Sequence, residues 1–273
     1  VEKSTETSIF SPFLDAWNLI PDGEMIVTHG SRLLPVRQDG VPAMLKIGEK
    51  EDERFGALMM SYWDGEGAAK VLARQDNVML MERAMGKKSL LQMVRNGQDE
   101  EATRIICQVA GRIHLPRNKP LPELVPLDQW FKELFRHADK YGGIFPSAAA
   151  AARNLVADQQ NIVPLHGDIH HENILDFEER GWLLIDPMRL IGERYFDYVN
   201  IFSNPLELEF VTTPGRFEKR FEIITQMAGL EPKRLLQWIY AWSALSATWI
   251  LEDGDDASID LAVAEMAAAA LKR

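Results

Sequence analysis

The sequence predicts an α+β chain built as two lobes, a small β-rich lobe over residues 1–84 and a larger, mostly helical lobe over residues 85–273. Three observations carry this prediction. Short aliphatic and β-branched runs separated by turn residues crowd the first third, and apolar residues recur at helical spacing through most of the remainder. Between the helices of the second part, the polar stretch "PLHGDIHHENILDFEERGWLLIDP" (164–187) breaks the pattern with what reads as a β-hairpin.

In the first lobe "MIVTH", "LLPVRQ" and "VPAMLKI" read as strands, the last two joined through Asp39-Gly40, a dipeptide suited to a tight hairpin turn. A helix follows over "EKEDERFGALMMSYW", where Phe55, Leu58, Met59 and Tyr62 share one face. "AAKVLAR" and "VMLMERA" supply two more strands around "QDN", giving the order three strands, one helix, two strands, with a linker near residues 83–88. Beyond it, "LLQMVRNG", "DEEATRIICQVAGRIHL", "LDQWFKELFRHADKYG" and "AAAARNLVADQQ" are helical by period and by their ends. After the hairpin, "RFEKRFEIITQMAG", "PKRLLQWIYAWSALSATWILEDG" and "SIDLAVAEMAAAALKR" resume the helices, and the alanine patches at 148–152 and 267–270 are expected on helix surfaces.

Composition narrows the function. A chain of 273 residues, 46% hydrophobic, can bury a real core, and a formal net charge of -11 argues against nucleic acid while leaving cationic small molecules open. The lone Cys107 can form no internal disulfide and fits a reducing compartment. The start "VEKSTETSIF" lacks the basic and apolar parts of a signal peptide, and no apolar run approaches membrane-spanning length. A cytoplasmic protein without a membrane partner is expected.

Two chemistries compete for the polar stretch. His166, Asp168, His170 and His171 could offer imidazole and carboxylate to zinc, but His29, His114 and His137 lie in no second ligand motif. Against this, "HGDIHHEN" has the spacing H-x-D-x-x-x-x-N, in which the aspartate accepts the proton of a substrate hydroxyl and the asparagine holds magnesium. Asp168 and Asn173 occupy those positions. If Phe177 faces Trp182 across the turn "EERG", Ile174 pairs with Ile185 and Asn173 with Asp186, which brings two oxygen ligands together at the hairpin mouth for Mg²⁺. The phosphotransferase reading is preferred.

The segments "HGDIHHENIL", "GWLLIDPMRLIGERYFDYVNIF" and "WDGEGAAKVL" resemble the aminoglycoside phosphotransferase family, in particular its streptomycin 6-kinase and hydroxyurea phosphotransferase branch, most specifically from Leu165 to Phe202. The resemblance implies a protein-kinase-like fold, ATP and Mg²⁺, and phosphoryl transfer to a hydroxyl of a small molecule. It gives Asp168 the role of base and leaves Asn173 and Asp186 as metal ligands. Lys46 in "AMLKI" is similar to the strand lysine that contacts the α- and β-phosphates and pairs with a helix glutamate. Helical period favours Glu51 as that partner, similarity to the family favours Glu53, and Glu66 lies in a turn; Glu53 is the residue chosen.

The remaining assignments follow from the same comparison. "VTHGSRLLPV" has one glycine where protein kinases have three, so phosphate contact is expected at Gly30 and Ser31 only. The backbone from Glu82 to Ala84 is expected to hydrogen-bond the adenine edge. "DPM" keeps Asp186 but lacks the phenylalanine of D-F-G, which argues against regulation through an activation loop. Asp197 and Asn200 resemble residues that brace the catalytic loop, His166 is expected to be structural, and His170 and His171 receive no chemistry. For the acceptor, Trp242 and Trp249 lie seven residues apart on one helix face and either line a polyol pocket or pack in the core. Glu252, Asp253, Asp255 and Asp256 either attract a cation or are solvated acids. A streptomycin-like aminoglycoside is the leading acceptor; hydroxyurea, a metabolite alcohol and a nucleotide-binding pseudokinase are the alternatives.

Overall fold

A computed structural model describes residues 7–28, 30–49 and 51–273, giving for residues 7, 8 and 51–55 the course of the backbone only. Its first lobe is organised by the hairpin of β3 (Ser31–Gln38) and β4 (Val41–Gly48), paired in full register from Gln38↔Val41 to Ser31↔Gly48. Asp39 (φ 50) and Gly40 (φ 80) both take left-handed backbone in the connecting turn, which is why this dipeptide stands there. Around the pair, β1 (Leu19–Pro21), β2 (Ile26–Val27), β5 (Val71–Gln75) and β6 (Val78–Glu82) complete a sheet of order β1-β3-β4-β6-β5, with β2 also on β3. The strand β1 and the preceding helix α1 (Ser11–Ala16) are additions to the sequence reading.

Alternation along the strands decides what each face touches. Leu34, Val36, Ala43, Leu45, Val78 and Leu80 pack under Phe10 and, less completely, Phe13 and Trp17. The opposite face carries Met44, Met79 and Met81 against Ala57 and Met60 of helix α2 (Glu51–Trp63) and against Phe177 and Leu183 of the hairpin. Lys46 has the parity of Met44, so it points toward the catalytic elements, not toward α1.

The helical lobe contains, among the described residues, α3 (Leu90–Arg95), α4 (Asp99–Ile113), α5 (Leu127–Trp130), α6 (Lys132–Tyr141), α7 (Phe145–Ala157), α8 (Leu208–Val211), α9 (Arg216–Ala228), α10 (Pro232–Asp253) and α11 (Ser258–Leu271). The central helix is α10, whose Trp238, Ile239, Ala241 and Leu245 are wholly buried. The alanine patches lie only partly on the surface, where Ala150 and Ala269 are exposed. Ala148, Ala149, Ala152 and Ala267 are fully buried, because small side chains let α7 and α11 approach α10 closely. None of the helices is long and apolar enough to cross a membrane.

Two small sheets hold the polar stretch. β8 (Ile162–Leu165) and β11 (Leu190–Glu193) are antiparallel, with β7 (Val125–Pro126) parallel to β11. Between them the chain forms the hairpin of β9 (Ile174–Asp176) and β10 (Trp182–Leu184). Its register corrects the sequence reading by one residue: Trp182 faces Asp176, Leu184 faces Ile174, and Ile185 N–H donates to Asn173 O at 2.9 Å. The cause is the turn. Phe177 N–H closes on Gly181 O at 2.8 Å over a 3₁₀ turn of only Glu178–Arg180, so Gly181 belongs to the ladder and not to the loop. Asp186 is therefore not the partner of Asn173; it lies one step beyond the ladder, with φ 61.

Candidate active site

The loop after β8 is shaped by Asp197, a buried carboxylate on the 3₁₀ turn Arg194–Tyr198. Its Oδ1 accepts the Gly167 N–H at 2.7 Å, and its Oδ2 accepts the His166 N–H at 3.0 Å and contacts His114 Nε2 at 2.7 Å. Gly167 takes φ 81, and a Cβ there would lie 2.7 Å from Leu190 Cδ1, so both backbone angle and space demand glycine. His166 is fully buried; its Nε2 donates to Ile185 O at 2.8 Å and its Nδ1 accepts the Asp168 N–H at 3.2 Å. Burial holds this imidazole neutral, lowering its pKa below the ordinary histidine value against the pull of Asp197 and Asp168. Both nitrogens are occupied in positioning the loop, as the structural role requires.

Asp168 emerges from this frame with each carboxylate oxygen held by an amide. Asn200 Nδ2 donates to Oδ1 at 2.7 Å, and Asn173 Nδ2 donates to Oδ2 at 3.1 Å and to the Asp168 carbonyl at 2.9 Å. Burial pushes its pKa upward, but His170, with Nε2 3.6 Å from Oδ2, together with His166 and Asn173, outweighs this and holds the carboxyl below the usual range. It is therefore ionised at neutral pH and able to orient a hydroxyl and receive its proton. The contact of His170 with this carboxylate was missed by the sequence reading. His171 points elsewhere: it is buried, and burial with Arg220 and Arg216 lowers its pKa well below the ordinary value. The loop histidines thus do not converge as a zinc site requires.

Lys46 pairs with Asp186, joining β4 to the segment that leaves β10. Lys46 is buried and Asp186 about half exposed. The segment carrying Asp186 is fixed from the helix side: a Cβ on Gly56 of α2 would lie 2.9 Å from Pro187 O, so the helix and the "DPM" backbone touch through glycine. Because Asn173 spends its Nδ2 on Asp168, its Oδ1 is left available as a ligand atom. Two hard oxygen groups with one net negative charge suit a small divalent cation that keeps water and phosphate oxygens as its other ligands. The side chain of Glu53, the expected helix partner of Lys46, lies outside the described residues, as does that of Glu51. Glu66 is largely exposed and faces Arg117 at 3.7 Å, so it is not that partner.

The expected nucleotide contacts lie at the two ends of the sheet strands that flank Lys46, Ser31 opposite Gly48 and Glu82 opposite Ala43. Gly30 and Ser31 stand in the β2–β3 turn, where Thr28 N–H donates to Ser31 O at 3.0 Å and Glu49 N–H to Gly30 O at 2.8 Å; Ser31 is buried. Glu82 ends β6 with its N–H on Lys70 O at 3.0 Å, while its carboxylate takes the Lys70 N–H at 2.5 Å and Arg180. Its N–H is consequently not free for an adenine edge. Ala84 lies past the last ladder pair, which ends at Ala43↔Glu82.

A cavity of about 380 Å³ opens beside Asp168, walled by Trp130, Trp242 and Trp249 and bearing three carboxylates, Asp168, Glu172 and Asp260, with no lysine or arginine in its lining. Trp242 packs edge-on to Trp249 at 5.7 Å, so the two tryptophans form a core pair and a pocket wall at once. Glu252 and Asp253 do not line this cavity. Glu252 turns toward α6, 2.9 Å from His137 Nε2, Asp253 is exposed, and Asp256 accepts the Ser258 N–H at 3.0 Å before α11. Glu252 and Asp253 close α10, beyond the stretch from Ser246 to Ile250 that lines the cavity. The sequence reading missed Ser203, Ser246 and Asp260, which do line it.

Comparison with known proteins places this geometry in a family. A model described as aminoglycoside/hydroxyurea antibiotic resistance kinase matches residues 16–254. The chain is 49% identical over 262 residues to a streptomycin 3''-kinase of Klebsiella pneumoniae, covering 93% of this chain and 98% of that protein. It is 29% identical to a streptomycin 6-kinase of Streptomyces griseus, covering 88% of this chain and 81% of that protein. Its fold matches the crystal structure of the aminoglycoside phosphotransferase APH(4)-Ia with a TM-score of 0.64 at 15% identity, over 96% of this chain and 95% of that one. The streptomycin 6-kinase likeness seen in the motifs thus extends along the chain, and the identity to the 3''-kinase is the higher of the two. With its two-lobed, protein-kinase-like fold and an aspartate lining a tryptophan-walled cavity, this chain belongs to the aminoglycoside/hydroxyurea antibiotic resistance kinases, phosphotransferases that act on a hydroxyl group.

Proposed function

We propose that this chain transfers the γ-phosphoryl group of ATP to the 3''-hydroxyl of streptomycin in the presence of Mg²⁺. One observation carries the reading: Asp168, ionised and clamped by Asn173 and Asn200, stands in the wall of a tryptophan-lined cavity that bears only carboxylates among its fully charged groups. An ionised base beside aromatic walls suits a polyhydroxyl ring that carries positive charge. The choice of acceptor and hydroxyl rests on the 49% identity to the streptomycin 3''-kinase over nearly all of its length.

In this mechanism Asp168 accepts a hydrogen bond from the acceptor hydroxyl, aligns its oxygen and receives its proton late, since phosphoryl transfer depends mainly on positioning and charge neutralisation. Asn200 and Asn173 keep the carboxylate from rotating. Lys46 engages the phosphates, and Gly30 and Ser31 cover them by backbone contact. The Glu82 carbonyl and the Ala84 N–H would take the adenine edge. Asn173 and Asp186 would hold the magnesium, which would supply neutralisation of phosphate charge. The lobe boundary falls at residues 84–85, where the linker turns onto the hairpin: Gly86 N–H donates to Asp176 O at 3.0 Å, and a Cβ on Gly86 would lie 2.1 Å from Asp176 Cγ.

The test is an ATP-consumption assay with streptomycin and hydroxyurea, followed by mass spectrometry and phosphorus–proton NMR of the product. A single phosphate on the 3''-oxygen is the expected result. Phosphate on the 6-oxygen would overturn the choice of hydroxyl, and turnover with hydroxyurea alone would overturn the choice of acceptor.

A further inference from the structure

Asp260 belongs to none of the motifs that point to this family, yet it lines the same cavity as Asp168. It sits in the first turn of α11 and is only 2% exposed. Its Oδ1 accepts the Ser203 hydroxyl at 2.8 Å, and the hydroxyl of Ser246 of α10, in the same cavity wall, also favours the carboxylate. Burial raises its pKa, and the two hydroxyls only partly oppose this. A carboxylate removed from water and supplied with neutral donors alone is costly to keep, because hydroxyls repay part of the lost hydration but none of the charge. Were Asp260 needed only to tie α11 to the turn Asn200–Ser203, a neutral asparagine or serine would make the same bonds without that cost.

The cavity explains what the charge is for. Asp168 holds one amide donor on each oxygen and, in the proposed function, gives its remaining capacity to the acceptor hydroxyl, and Glu172 is exposed. Asp260 is the buried carboxylate that remains, and a cavity of about 380 Å³ takes no more than one or two sugar-sized rings. Resting on the reading of this cavity as the acceptor site, we propose that Asp260, steadied by Ser203 and Ser246, is a specificity-determining residue that binds a protonated amine on or next to the ring bearing the reactive hydroxyl. The bond formed is a charge-assisted hydrogen bond from the ammonium group to the carboxylate, and it selects amino sugars over neutral polyols of the same shape.

The experiment is a cycle measured by calorimetry in the presence of ADP and Mg²⁺. Streptomycin and its derivative acetylated on the secondary amine are titrated into wild type and Asp260→Asn. In wild type acetylation weakens binding about 10- to 100-fold, the worth of a hydrogen bond to a charged group; in the variant both ligands bind about equally weakly. A purely structural Asp260 would shift both ligands by the same factor and leave the effect of acetylation intact, which overturns the proposal. Should the variant fail to fold, wild type alone still decides, since equal affinity for the two ligands also overturns it. Coupled binding without phosphorylation would sink the proposed function and leave Asp260 standing. Phosphorylation without coupling would do the reverse, and no binding at all would end both.

Discussion

Asp197→Asn is the sharpest perturbation of the catalytic frame. The carboxylate serves three donors: Gly167 N–H at 2.7 Å on one oxygen, and His166 N–H at 3.0 Å and His114 Nε2 at 2.7 Å on the other. An amide keeps one oxygen and turns an NH₂ toward the other set, so at least one buried backbone N–H faces a donor. Leaving such a group unsatisfied costs about 1–3 kcal/mol, and the surviving bonds lose their charge assistance. A total near 3 kcal/mol follows. For a chain of this size that corresponds to a fall in Tm of about 6–12 °C, at roughly 2–4 °C per kcal/mol. The unsatisfied group adjoins Asp168, so the loop shifts where the acceptor hydroxyl must be aligned, and kcat should fall about 100-fold. Calorimetric unfolding and steady-state kinetics of the variant measure both quantities. A Tm within about 2 °C of wild type and a kcat within threefold would show that Asp197 does not position the loop, and the account of the frame would have to be abandoned.

Other perturbations probe separate parts. Asp168→Asn should retain nucleotide affinity while lowering turnover by about 10²–10⁴, because the amide fills the same space but cannot take a proton; undiminished turnover would remove the base assignment. Gly56→Ala places a Cβ 2.9 Å from Pro187 O, so the helix must move off the segment carrying Asp186; ATP affinity should weaken severalfold with little change in acceptor affinity, and an unaltered nucleotide Kd would argue that the contact is slack. Stability should fall as pH drops below about 6.5. His166 and His171, both buried, have folded-state pKa values below the ordinary value, so the unfolded chain takes up protons first as pH falls. The slope is about 1.4 kcal/mol per pH unit for each histidine. Urea midpoints at pH 7.5 and 5.5 measure this, His171→Leu should roughly halve the slope, and a flat profile would count against burial of the neutral rings.

Much of the fold was legible because its strongest signals are local. Asp39-Gly40 announces a hairpin through its backbone preference alone, and the helical lobe shows its period without help from tertiary contacts. The misses have physical causes. β1 is three residues long and draws its order from pairing Leu19 with Gln38 and from the cover of Phe10, neither visible in "LIP". The hairpin register failed because "EERG" reads as a four-residue turn, whereas Gly181 accepts the Phe177 N–H and shortens the turn by one. Counting alternation cannot recover that residue, since "ILD" and "WLL" are apolar at successive positions and offer little alternation to set the register.

The two halves of the site differ in legibility for a related reason. In the proposed mechanism Asp168, Asn173 and Asp186 act on phosphates and a proton, a chemistry that fixes both residue type and spacing along one continuous stretch. The acceptor side has no such constraint. Asp260 reaches the cavity only because α11 folds back along α10 and because Ser203 and Ser246, on two different elements, converge on one carboxylate. In the sequence it is an ordinary acid in the first turn of a helix, where a negative charge already has a local reason to stand. Glu252 and Asp253, conspicuous as an acidic run, were for that same reason the easier choice. A run of charges at a helix end is most often solvated, whereas a single carboxylate among apolar residues must be accounted for by a partner. The useful signal for substrate charge therefore resides in burial, and burial is a property of the assembled lobe.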